Sequence, residues 1–129
     1  MRVLKLSGLP ETAFKCRNVP LGDGKNYIRT IEMGDPAKPT MVLIHGYGGS
    51  SVKFWKIVGP LSEKYHLYMI DIIGMGASSR PTFDLKDPPQ VDQYLTSWLE
   101  AWRRSVGLNK PFILAGHSFG GYLSGLYTL

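Results

Sequence analysis

Gly116-His117-Ser118-Phe119-Gly120 sets a serine between two glycines in the pattern G-x-S-x-G, where an apolar run gives way to a segment of helical spacing. A serine at such a junction is suited to acyl transfer. The turn forces its backbone into a strained conformation, lifts the hydroxyl clear of the preceding strand and sets a helix N-terminus behind it, where negative charge is favoured. Gly116 and Gly120 let the turn close. The plainer alternative is a glycine-rich turn with a capping serine; the strand-to-helix context favours the nucleophile.

A second glycine-rich turn, His45-Gly46-Tyr47-Gly48, follows an earlier apolar run. In acyl-transfer enzymes of this design one oxyanion donor is the amide after the nucleophile, and the other comes from such a loop. Phe119 N–H and Tyr47 N–H are the candidates, with His45, Gly46 and Gly48 supporting the turn and its close approach to a substrate carbonyl. A serine hydroxyl also needs a base, and the base an orienting carboxylate, in the order Ser, Asp or Glu, His. Residues 119–129 contain no Asp, Glu or His. His117 precedes the nucleophile and does not read as its base, His45 belongs to the oxyanion turn, and His66 opens a strand; all three read as structural.

Elements able to position these turns are legible along the chain. FKCRNV and NYIRTIEM flank Gly22-Asp23-Gly24 as an expected β-hairpin. Thr40–Ile44, His66–Ile70 and Pro111–Ala115 are continuous apolar runs, expected as strands buried on both faces of a mostly parallel sheet. A helix is expected from Ser50, capped by Ser50 or Ser51, with Phe54, Trp55, Val58 and Leu61 on one face. Pro81, Pro88 and Pro89 mark an irregular connection. Then Val91, Tyr94, Leu95, Trp98, Leu99, Trp102 and Val106 form one helical stripe stopped by Gly107. A last helix follows Ser118. Alternating strands and helices define an α/β class.

Composition bounds the rest. One domain accounts for 129 residues; 43% hydrophobic content supports a packed core and excludes disordered and coiled-coil classes. Residues 1–12 carry no clear element, and their apolar stretch is too short and broken for a secretory leader. No run is long enough for a membrane span. The single Cys16 reads as a small core residue in a reducing compartment. The +5 charge arises before Tyr65, with ten Lys/Arg against five Asp/Glu, but its basic residues are scattered. A solvated surface is the expectation, with a membrane surface an alternative partner and no nucleic-acid motif.

HGYGG, DIIGMGASSRP and GHSFGG, in this order, resemble the α/β-hydrolase fold. The Ser78–Phe83 stretch, the helix with Trp98, Glu100, Trp102 and Arg103, and GHSFGGYL with Tyr127 resemble more narrowly the subfamily of lysophospholipases, a cardiolipin deacylase and a lipid-droplet lipase coactivator. The resemblance covers about Val19 onward. It implies the N-terminal part of the fold, a partial domain over 1–129 truncated after the nucleophile elbow, with helices on both faces. It also implies a lipid or ester substrate, peripheral contact with a membrane or lipid droplet, and no metal or organic cofactor. Cytosol, lipid droplet and mitochondrion stay open as compartments. Asp71 is implied as a structural turn residue. The coactivator branch carries Asn where this chain has Ser118, which favours hydrolysis of lipid acyl esters. A non-catalytic adaptor, a lysophospholipid acyltransferase and an inactive fragment are the alternatives.

Overall fold

A computed structural model describes residues 2–129. Five strands, β1 (Lys15–Pro20), β2 (Tyr27–Met33), β3 (Thr40–Ile44), β4 (His66–Ile70) and β5 (Ile113–Gly116), form one sheet in the order β1-β2-β4-β3-β5. β1/β2 and β2/β4 pair antiparallel, whereas β3 pairs parallel with both β4 and β5. The hairpin is therefore not an appendage: β2 joins it to the parallel strands, with Thr30 opposite Ile70.

Strand periodicity divides the core into two layers. Val42, Ile44, Tyr68 and Ile70 face one side, where α2 (Pro88–Ser105) and α3 (Phe119–Thr128) cover them with Leu95, Trp98, Leu99, Trp102 and Leu123. Leu43, Leu67 and Met69 face the other, against Leu4, Val58 and the segment around Phe54 and Trp55. Helical cover on both faces is why these strands read as unbroken apolar runs. Trp102 is fully buried, and its Nε1–H donates to Thr30 Oγ1 at 2.9 Å, which ties α2 to β2 without leaving the indole dipole unpaired. Ahead of β1, short 3₁₀ helices at Arg2–Ser7 and Glu11–Ala13 occupy the segment expected to carry no clear element, and Leu4 joins the second layer.

Three local expectations need correction. The segment after Ser50 is a 3₁₀ helix over Ser51–Lys56 followed by a short α1 (Val58–Ser62). Pro60 has no N–H to donate to Lys56, so one continuous α-helix through this stretch cannot form its ladder. Nor does Ser50 cap it: the Ser51 N–H is taken by Asp71 Oδ1 at 2.6 Å. Second, α2 begins at Pro88 and not near Val91, because proline is well placed where no helical N–H bond is needed. Third, β5 starts at Ile113 and is not buried on both faces, since Ile113 is 43% exposed and its neighbours are only partly covered.

Two tyrosine–carboxylate bonds fasten α3 to α2. Tyr127 O–H donates to Glu100 Oε2, and Tyr122 O–H donates to Asp92 Oδ1 at 2.7 Å. Glu100 also accepts from Arg103 and Arg104. Hydrogen bonds from Arg103 first, then Tyr127 and Arg104, hold its carboxyl well below the usual carboxylate range. A lowered folded-state pKa stabilises above the unfolded-chain value and loses that contribution as pH falls. Glu100→Gln is therefore expected to cost roughly 1–2 kcal/mol in urea unfolding at pH 7. The gap between the variant and the parent should shrink once pH drops below about 4.3; a gap constant to lower pH contradicts this role.

Candidate active site

Register explains why two turns far apart in sequence meet. β3 and β5 are parallel neighbours with Ile44 opposite Gly116, so their carboxyl ends finish side by side. His117 N–H extends that ladder to Ile44 O at 3.0 Å. The loop after β3 and the elbow after β5 therefore leave the sheet at one point, the end of an α/β sheet where ligands bind.

The elbow is built by steric necessity. Ser118 has φ 56° and ψ −121°, and it is the sole non-glycine residue with positive φ among the described residues. Such a conformation costs on the order of 1–3 kcal/mol and persists where its surroundings enforce it. Those surroundings are visible here. A Cβ on Gly120 would lie 2.3 Å from Ile44 O, and one on Gly116 would lie 2.1 Å from the Gly120 carbonyl. Helix α3 can pack this closely on β3 and β5 only if both positions lack side chains. Ser118 is exposed, and Gly120 N–H and Tyr122 N–H close the turn onto His117 O and Ser118 O at 3.0 and 3.1 Å.

The opposing loop is equally constrained. His45 is fully buried; its Nε2 accepts Ile72 N–H at 3.0 Å, so Nδ1–H donates to Gly46 O at 2.7 Å. One imidazole thus fixes the loop after β3 to the end of β4. Gly49 N–H returns to Gly46 O at 3.1 Å, and Gly48 adopts φ 66°. A Cβ on Gly46 would sit 3.1 Å from Ser118 Cβ and 3.0 Å from His117 Nδ1, so this glycine is what admits the elbow. Neither Tyr47 N–H nor Phe119 N–H donates to a protein acceptor among the described residues. Both amides are free to serve a ligand.

Asp71 holds the third wall. Buried at the end of β4, it accepts Ser51 N–H and, at 2.8 Å, Ala77 N–H, while its own carbonyl accepts the Ser78 hydroxyl at 2.6 Å. Gly76 has φ 54°, and a Cβ there would lie 2.2 Å from Asp71 Oδ2. Ser78 and Ser79 hydroxyls in turn accept the Arg29 and Tyr27 amides of β2. The DIIGMG turn is legible in the sequence but this network is not, because it joins residues as far apart as Tyr27 and Ser79, 52 positions away from each other.

Beside the two free amides opens an apolar cavity of about 580 Å³, lined by Tyr47, Ile73, Met75, Phe83, Tyr94 and Phe119 among others. Its charged lining residues are Lys86 and Asp92, and Asp92 is already engaged by Tyr122. Ser118 is not among the lining residues; it sits beside the cavity through its neighbour Phe119. No described residue hydrogen-bonds the Ser118 hydroxyl. Of the three histidines, His45 is locked in the loop and His66 Nε2 pairs with Glu32 at 3.0 Å. His117 faces Lys53.

A mixed sheet whose β3, β4 and β5 run parallel, with a strained serine elbow and a facing glycine loop, defines the class, and the chain belongs to the alpha/beta hydrolase fold family, whose model matches residues 39–129. Among its relatives, a bovine (lyso)-N-acylphosphatidylethanolamine lipase is 40% identical over 122 residues, covering 92% of this chain and 34% of the relative. The human 1-acylglycerol-3-phosphate O-acyltransferase ABHD5 is 40% identical over 93 residues, covering 71% and 26%. In structure the chain resembles a bacterial membrane phospholipase A, with TM-score 0.79 and 26% identity over 98% of this chain and 37% of that one. The chain spans about a quarter to a third of the length of the curated relatives it matches. Among the described residues, no helix is long and apolar enough to cross a membrane.

Proposed function

We propose that the full-length protein carrying this sequence is a serine hydrolase of lipid acyl esters, with Ser118 as nucleophile and the Tyr47 and Phe119 amides as oxyanion donors. The observation that carries this reading is the strained, exposed Ser118 set against a glycine-built loop, with one unused amide on that loop at Tyr47 and one on the elbow at Phe119. Ser118 Oγ bonds to the ester carbonyl carbon, the developing oxyanion is received by the amides, and the alcohol departs with a proton. Water then cleaves the acyl-enzyme to free acid and regenerates the hydroxyl. The reading requires a histidine base and a carboxylate that no described residue supplies at Ser118.

The apolar cavity supports an acyl chain as the buried part of the substrate. Lipid substrates are also what the names of the relatives suggest, one a lipase and one an acyltransferase. Transfer to a lysophospholipid uses the same acyl-enzyme, with an alcohol in place of water, and is the second reading. Incubating the full-length protein with a radiolabelled lysophospholipid, with and without excess lysophosphatidate acceptor, tests both. Free fatty acid as the main product in both mixtures is expected. Diacyl product dominating with acceptor favours the transferase, and no acyl product in either mixture contradicts both.

A further inference from the structure

Lys53 and His117 are both exposed, and Lys53 Nζ lies 3.0 Å from His117 Nδ1 and 3.4 Å from Nε2. A lysine ammonium donates and one nitrogen of a neutral imidazole accepts, and no carboxylate among the described residues joins the pair. The ion pairs of the fold engage Lys5, Arg17, His66, Arg103 and Arg104 instead. The pair also has a defined position. His117 precedes the elbow serine, and its Nδ1 and the Ser118 Cβ flank the same point above Gly46. Neither Lys53 nor His117 lines the apolar cavity, which begins at Tyr47 and Phe119. Ser118 therefore stands between a cavity suited to hydrocarbon and a pair of nitrogen groups rich in donors.

We propose that Lys53 and His117 form the subsite for a phosphate-bearing headgroup of the lipid whose ester Ser118 attacks. This rests on the reading of Ser118 as nucleophile. A lysine ammonium is a compact point charge with three donors, suited to phosphate oxygens, and charge-assisted bonds of this kind are stronger than neutral ones. The positive end of α3, whose first turn follows Ser118, adds to the same potential. With the acyl chain in the cavity and its carbonyl at the Tyr47 and Phe119 amides, a three-carbon glycerol carries the phosphate away from the cavity and toward Lys53. Lys86 also borders the site but lines the apolar cavity itself, on the acyl side, whereas Lys53 touches the residue next to Ser118.

The test is calorimetric binding to the full-length Ser118→Ala protein, in which no ligand is consumed. The ligands are hexanoyl-glycerol 3-phosphate, uncharged monohexanoylglycerol, glycerol 3-phosphate and inorganic phosphate. The phosphate-bearing acyl ligand is expected to bind about tenfold more tightly than the uncharged one. Lys53→Met should bring that ratio close to one, and Lys53→Arg should retain most of it. A ratio near one in the parent, or one unchanged by Lys53→Met, overturns the subsite. Inorganic phosphate binding as tightly as the acylated phosphate would assign the pair to the free ion and overturn it as a headgroup site. Since turnover plays no part, these outcomes bear on the subsite alone, whereas failure of Ser118 to react with an acyl electrophile removes the reading beneath it.

Discussion

Ester turnover by the full-length protein is expected to fall by at least about 10⁴-fold when Ser118 becomes alanine, the scale seen when a serine nucleophile is removed from a triad enzyme. The size follows from chemistry: without Oγ no acyl-enzyme forms, and the Tyr47 and Phe119 amides can only polarise a carbonyl for direct attack by water. A companion substitution examines the strain itself. At φ 56° a glycine is at ease where alanine is not, so Ser118→Gly is expected to be more stable than Ser118→Ala by about 1–2 kcal/mol in chemical unfolding, while equally inactive. A relaxed elbow would show no such difference. Retention of the full cellular effect in Ser118→Ala would instead favour the adaptor reading, in which the site works by binding.

The other large effect concerns the scaffold. Gly120→Ala is expected to destabilise the protein by more than about 4 kcal/mol, enough to abolish cooperative folding of a marginally stable domain. A methyl at 2.3 Å from Ile44 O and 2.5 Å from His45 O meets backbone at the end of β3, which cannot rotate away as a side chain could. Relief would require α3 to lift from the sheet, breaking the bonds that close the elbow. Gly125, in the same helix, provides the contrast. Apart from its chain neighbours and the helix's own backbone, no atom lies within 4 Å of a Cβ built there, so Gly125→Ala should be neutral or stabilising by up to about 1 kcal/mol through helix propensity. Thermal melts of the two variants decide the matter. Similar losses in both would mean that the close approach of α3 to β3 is not what Gly120 serves.

Both predictions draw on features partly visible in the sequence. The apolar runs ending at Ile44 and Ile70 marked strands whose two faces are covered, and Leu95, Trp98, Leu99 and Trp102 marked the buried stripe of α2, because burial writes period and composition directly into the chain. The G-x-S-x-G turn was legible for the same reason, since a Cβ at either flanking glycine would collide with backbone. What the chain did not disclose was adjacency. Nothing local says that β2 pairs with β4, that β3 lies between β4 and β5, or that Ile44 stands opposite Gly116. The apolar Pro111–Ala115 run suggested a strand with both faces covered, yet β5 is only partly covered, with Ile113 exposed. Asp71 as cap of the Ser51 turn, and Lys53 against His117, are likewise products of tertiary packing and leave no short-range signal.

The central claim is that one hydroxyl, on Ser118, is the nucleophile. Treating the full-length protein with a fluorophosphonate and mapping the adduct by tandem mass spectrometry tests it most directly. A single phosphonylated residue at Ser118, with no adduct in Ser118→Ala, is the predicted result. An adduct on a different serine, or labelling that survives the substitution undiminished, would contradict it.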